Sequence, residues 1–202
     1  ANLNGADLRE AYLRDVKADG ADFTNAQLGN ADLTRADLTE AIFRNADLTL
    51  ATLDVANVAR SDFANARMAG VHMSKARGTG ANFQRAVLSA ANLTQSVFVD
   101  ANFAEANLGG RGQGHPGPNG AILRGTDFSD ANLSKTNLVN AKLNQAILKN
   151  TDLRGAKMGF ADLSWSRADG ANFADADMGW VRAYAAGMKR AGFRGAKVSL
   201  AQ

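Results

Sequence analysis

The side chains able to do chemistry are few and scattered. The chain has two histidines, His72 and His115, and no cysteine. An imidazole can act as a general base or a metal ligand. A metal site, however, needs converging donors, and a nucleophile needs a base and an orienting group beside it. The two histidines sit in unlike contexts with no third ligand near either, and His72 reads as an outward residue. The run "GRGQGHPGPNG", residues 110–120, is rich in glycine, but it neither follows a strand nor opens a helix, as a phosphate-binding loop must. The twenty carboxylates look more promising. Half of them are Asp at one recurring position, among them Asp7, Asp22, Asp32, Asp37 and Asp47. Asn82, Asn92, Asn102 and Asn132 serve the same position. Asp and Asn share no acid–base chemistry, but both bond turn backbone, so these side chains are read as structural. No catalytic residue, metal or cofactor is expected, and the chain is not expected to be an enzyme.

That recurring position belongs to a repeat. Written in fives the chain runs ANLNG ADLRE AYLRD VKADG ADFTN, and forty pentads fit one frame before Ala201 and Gln202. The third position is Leu, Phe, Met or Val almost throughout, and it holds all five Met and nine of the ten Phe. The first position is mostly Ala, the second is often Asp or Asn, and the fourth and fifth are small, polar or charged. A period of five is neither the 3.6 of a helix nor the continuous alternation of a strand. Within a pentad, positions one and three point the same way, and a corner then resets the phase. One pentad cannot bury two apolar side chains, but stacked copies can.

The A(D/N)LXX run resembles the pentapeptide-repeat proteins over nearly the whole chain. The resemblance implies an all-β fold, a right-handed, quadrilateral parallel β-helix with four pentads per coil, positions one and three inside and the others largely outward. The sequence offers its own check on twenty residues per coil. Phe23, Phe43, Phe63, Phe83 and Phe103 are spaced by twenty and would stack as a core ladder about 4.8 Å apart. The runs VKADGADF (16–23), ARGTGANF (76–83) and SRADGANF (166–173) share a small core residue just before the Phe. The first two copies are sixty residues apart, and the third follows ninety later.

Those last ninety are four coils and ten residues. Residues 111–120 contain both prolines and four glycines, poor material for a coil. Removing them puts Leu133, Leu153, Phe173 and Phe193 in line with the earlier Phe ladder. A projecting loop over about 109–120 is therefore expected on an otherwise unbroken single domain, residues 1–202. The rest makes about nine and a half coils, a rod about 45 Å long.

Two surface features stand out. The loop carries Arg111 and His115, and loops on rigid scaffolds often carry function. Near the C-terminal end, Phe160 and Trp180 lie one coil apart at an outward position, with Trp165, Tyr184 and Arg182 close by in sequence. Exposed aromatics with Arg mark interface hot spots, although a covering cap or a homotypic end-to-end contact would use them equally well. The leading expectation is a non-catalytic interaction module for a protein partner or for a linked domain of a longer chain.

Some members of the family mimic DNA, bind gyrase and confer quinolone resistance. This chain departs from them in its net charge of +3 and in "AGFRGAKVSLAQ", residues 191–202, which stays in pentad register with no amphipathic helix. Nucleic acid is not an expected partner, since broad basic stripes are missing. No run of eighteen apolar residues and no signal-like N-terminus are present, so no membrane span is expected and the cytoplasm is favoured. The chain begins at Ala1 without Met and is read as a piece of a longer or processed protein.

Overall fold

A computed structural model of the chain describes residues 1–110 and 119–199. Each pentad makes one corner and one parallel bridge to the next coil, and no bridge lengthens into a strand. Bridged residues are twenty apart, and thirty apart across residues 111–120. The bridges fall into four ladders, which define four sides. The first runs from Asn2 to Gly192, the second from Asp7 to Lys197, the third from Tyr12 to Arg182 and the fourth from Lys17 to Gly187.

One hydrogen-bond pattern repeats along the chain. Leu3 N donates to Asp22 O at 2.7 Å, Asp22 N to Ala1 O at 2.9 Å and Gly5 N to Thr24 O at 2.8 Å. Ala6 N donates to Leu3 O at 3.0 Å and closes the corner. Backbone groups that a narrow core would otherwise strand are thus paired between coils. Apart from Gly110 and Gly120 at the insertion, the fifth residue of each described pentad takes positive φ, from 53° at Ala185 to 72° at Gly170. Positive φ at the second central residue alone is the type II turn pattern, which favours Gly and tolerates Asn. Val55, at φ 62°, is the β-branched exception, and it holds a conformation such residues rarely adopt.

The interior follows from positions one and three. Phe23, Phe43, Phe63, Phe83 and Phe103 stack with ring centroids 4.5–4.8 Å apart. The spacing is that of neighbouring strands, so the backbone repeat sets the ring repeat. Asn102 bridges Asn132, which carries the first side through Leu133 and Leu153 to Phe173. Phe193 stacks on Phe173 at 5.1 Å but is 39% exposed, because no described coil lies over it; it is an edge residue rather than a buried core residue. A second aromatic set is also present. Phe98 and Phe128, on the fourth side, meet Phe103 edge-on at 5.4 Å. Phe98 fills the space over Gly78, where a Cβ would stand 2.4 Å from the ring.

The register change occupies less of the chain than the sequence suggests. Gly109, Gly110, Asn119 and Gly120 were expected in the loop, yet they keep coil contacts. Ala90 N donates to Asn119 O at 2.9 Å, and Gly110 N donates to Val139 O at 2.9 Å. One corner's duties are thus divided between the two ends of the insertion. Ala121 N still closes that corner on Leu108 O at 2.7 Å. At Gly120 a Cβ would stand 2.4–2.6 Å from the backbone of Asn140 and Ala141, so close approach demands glycine there. The rest of the expected loop, with Arg111 and His115, lies outside the described residues.

Candidate functional site

Position-two carboxylates are turn ligands. Asp22 Oδ1 accepts from Thr24 N at 2.9 Å, and Asp32 Oδ1 accepts from Thr34 N at 3.0 Å and from its hydroxyl at 2.5 Å. Asn82 and Asn102 accept the same backbone bond from Gln84 and Ala104, at 3.1 Å each. The charge state follows from these bonds. The Thr24, Thr34 and Thr39 hydroxyls and amides hold Asp22, Asp32 and Asp37 below the ordinary carboxylate range. Arg9 grips Asp7 through its side chain and holds it at about 2. None of these carboxyls is poised near neutrality, where a general acid or base works. His72 is exposed on the third side, bridged between Thr52 and Asn92. Among the described residues, no group of three or more His, Cys, Asp and Glu is placed to hold a metal. No helix among them is long and apolar enough to cross a membrane.

Position-five side chains lean along the rod over the next coil. Asp15 pairs with Arg35, Glu40 with Arg60, and Arg85 with Glu105. Where the next coil offers glycine, the side chain lies on it: Leu50 reaches to 2.7 Å from a Cβ position at Gly70. The same lean brings the aromatics together.

Phe160 and Trp180 stack at 6.0 Å and 9°, along the corner between the second and third sides. Trp165, at the next corner of its coil, meets Tyr184 edge-on at 5.4 Å. The Phe160–Trp180 contact is legible from twenty-residue spacing. The Trp165–Tyr184 contact, between residues nineteen apart, joins a corner to the neighbouring position four, and twenty-residue spacing does not show it. The two pairs border the third side, where Asp162 bridges Arg182 and Lys142 precedes them in the ladder. Arg182 therefore sits between aromatic edges. Trp165, Trp180 and Tyr184 are 59%, 51% and 69% exposed, and Phe160 is half-buried. Gly159 and Gly179, at position four, leave the adjoining second side without large side chains beside the stack.

A rod of single-residue bridges, with an exposed aromatic-bordered side and with no metal-binding group of side chains among the described residues, defines a repeat solenoid. The chain belongs to the pentapeptide-repeat family: the family described as pentapeptide repeats matches in eight copies, over residues 1–26, 19–54, 56–95, 79–110, 119–150 and 146–182. Among solved structures it is similar to HetL of the cyanobacterium Nostoc sp. strain PCC 7120, a pentapeptide repeat protein involved in heterocyst differentiation regulation. That likeness has a TM-score of 0.59 at 24% identity and covers 97% of this chain and 86% of HetL. Full-length QnrB1, a plasmid-mediated fluoroquinolone resistance protein, is similar with a TM-score of 0.59 at 17% identity, covering 94% of this chain and 92% of QnrB1. These likenesses show the β-helical fold. No curated protein matches by sequence.

Proposed function

We propose that the chain is a non-catalytic interaction module, a rigid rod that presents its aromatic-bordered third side, and the loop bearing Arg111 and His115, to a protein partner. The scaffold of this reading is a four-sided coil of about nine and a half turns, supported by the twenty-residue bridge spacing and four ladders, with the right-handed turn that the family resemblance implies. The observation that carries it is the convergence of Phe160, Trp165, Trp180 and Tyr184 around Arg182. Trp, Tyr and Arg are the side chains that most often dominate interface energy, and a cluster of exposed aromatics needs an explanation.

The test is cross-linking and pull-down with the wild type and with Trp165→Ala and Trp180→Ala. Partners should be captured by the wild type and lost by at least one variant. Retention of every partner by both variants would sink the reading. A gyrase-directed DNA mimic is the less favoured reading. A mimic needs a dense negative surface, whereas residues 131–199 carry eleven Lys and Arg against five Asp.

A further inference from the structure

The N-terminal two-thirds and the C-terminal third of the rod treat their charges differently. Residues 1–110 and 119–130 hold eleven Lys and Arg with fifteen Asp and Glu, a net of −4. Seven of those eleven cations form ion pairs within 4.0 Å: Arg9, Arg14, Arg35, Arg44, Arg60, Arg67 and Arg85. Residues 131–199 also hold eleven, with five Asp and a net of +6. There only Arg154 is paired, with Asp152, among the described residues. The other ten are exposed and make no described ion pair. Asp162, which stands between Lys142 and Arg182 in the third ladder, pairs with neither and instead accepts from Ser164 N at 3.0 Å. The C-terminal third, left with unpaired cations, is the part that carries the exposed aromatic pairs.

We infer that the aromatic-bordered third side takes an acidic protein segment, one whose carboxylates meet Lys142 and Arg182 and whose large apolar side chains meet the Trp180 and Trp165 edges. This rests on the interaction-module reading and adds the partner's chemistry. Charge complementarity is the first argument: unpaired exposed cations beside apolar rings suit a chain offering both carboxylates and apolar groups. Ring geometry is the second, and it speaks against single-stranded nucleic acid. Successive bases need open aromatic faces, but Phe160 and Trp180 each give one face to the other, and Trp165 is already met by Tyr184. A second copy of this chain is a poorer occupant, since its acidic N-terminal part has spent many of its carboxylates on its own arginines.

The experiment selects a display library of random dodecapeptides on the purified protein and measures the retained peptides by fluorescence anisotropy. Retained peptides should be enriched in Asp and Glu together with Phe, Trp or Leu. Their binding should weaken at least about tenfold in Lys142→Glu/Arg182→Glu and should fall as salt rises. Lys17→Glu, on the first coil, should bind as the wild type does. All these side chains are exposed, so melting curves should overlay. Peptides that depend on Trp165 and Trp180 but show no acidic excess would overturn the inference and leave the module reading standing. Peptides indifferent to both tryptophans would overturn both. Tighter binding of a twelve-nucleotide oligo(dT), or dimerisation that the double charge reversal abolishes, would also overturn it.

Discussion

Deleting residues 111–120, so that Gly110 joins Ala121, should leave a folded rod slightly more stable than the parent. The corner bond from Ala121 N to Leu108 O spans thirteen residues, where the corner from Ala6 N to Leu3 O spans three. Closure entropy grows with the logarithm of loop length, so the shorter corner gains about 1 kcal/mol. Against this stands the loss of the bond from Ala90 N to Asn119 O. Gly109 O is placed to replace it, as Ser89 O serves Gly70 N at 2.9 Å one coil earlier. Gly110 becomes an ordinary fifth residue and must take positive φ, which glycine does without a Cβ penalty. The net is a gain of about 1 kcal/mol, or about 2–4 °C in the midpoint for a chain of this size. Circular dichroism melts and calorimetry on both proteins measure it. Loss of cooperative melting, or a midpoint lowered by more than about 10 °C, would refute the register, because an intact ladder on both sides predicts a loss no larger than a few kcal/mol.

Other perturbations test the core, the corners and the charges. Phe63→Ala removes a ring stacked at 4.7 Å and 4.8 Å on its two neighbours and should cost about 3–5 kcal/mol by chemical denaturation. Phe193→Ala, at a site already 39% exposed, should cost less than half as much. Val55→Asn should raise the melting midpoint by relieving about 1 kcal/mol of left-handed strain, since Val55 is 47% exposed and little burial is lost. Gly120→Ala should lower stability by about 1–3 kcal/mol through backbone crowding, whereas Gly20→Ala, with open space around its Cβ position and φ +59°, should cost only about 1 kcal/mol. Asp7, held at about 2, and Asp15, Asp22, Asp32 and Asp152, also lowered, stabilise the fold when ionised. Depressed carboxylates lose that contribution as the pH falls through their folded values, so the midpoint should hold from neutrality to about pH 5 and fall toward about pH 2. A midpoint flat across that window would show these carboxylates to be energetically idle.

What could be read from the sequence depends on how many residue types a position allows. The core position accepts only large apolar side chains, so Phe at twenty-residue intervals announced both the coil length and the ten-residue slip near residue 111. The corner's left-handed residue was hidden because its position accepts Glu10, Arg35, Leu50 and Trp165 as well as Gly and Asn. There the hydrogen bonds of the coil fix the backbone, and the side chain tolerates the strain. Phe98 and Phe128 give no sequence signal as a set for a related reason: they contact the main ladder across a corner, edge-on, and no sequence period describes that angle.

The candidate surface divides in the same way. Stacking of Phe160 on Trp180 follows from the repeat, but the meeting of Trp165 with Tyr184 follows from the lean of position-five side chains along the rod. That lean also decides which charges pair at the corners. Toward the N-terminal end it places Asp15 on Arg35 and Glu40 on Arg60, so these corner cations find an acid one coil away, whereas Lys75 stands between Val55 and Gln95. Toward the C-terminal end Lys135 leans over Gly155, and Asp175 leans over Gly195, so neither charge finds a partner on the coil toward which it leans, although Lys135 still acts on Glu105 one coil before it. The unpaired cations beside the aromatic rings are instead Lys142 and Arg182, at position two of the third side, where Asp162 between them accepts from Ser164 N rather than from either cation.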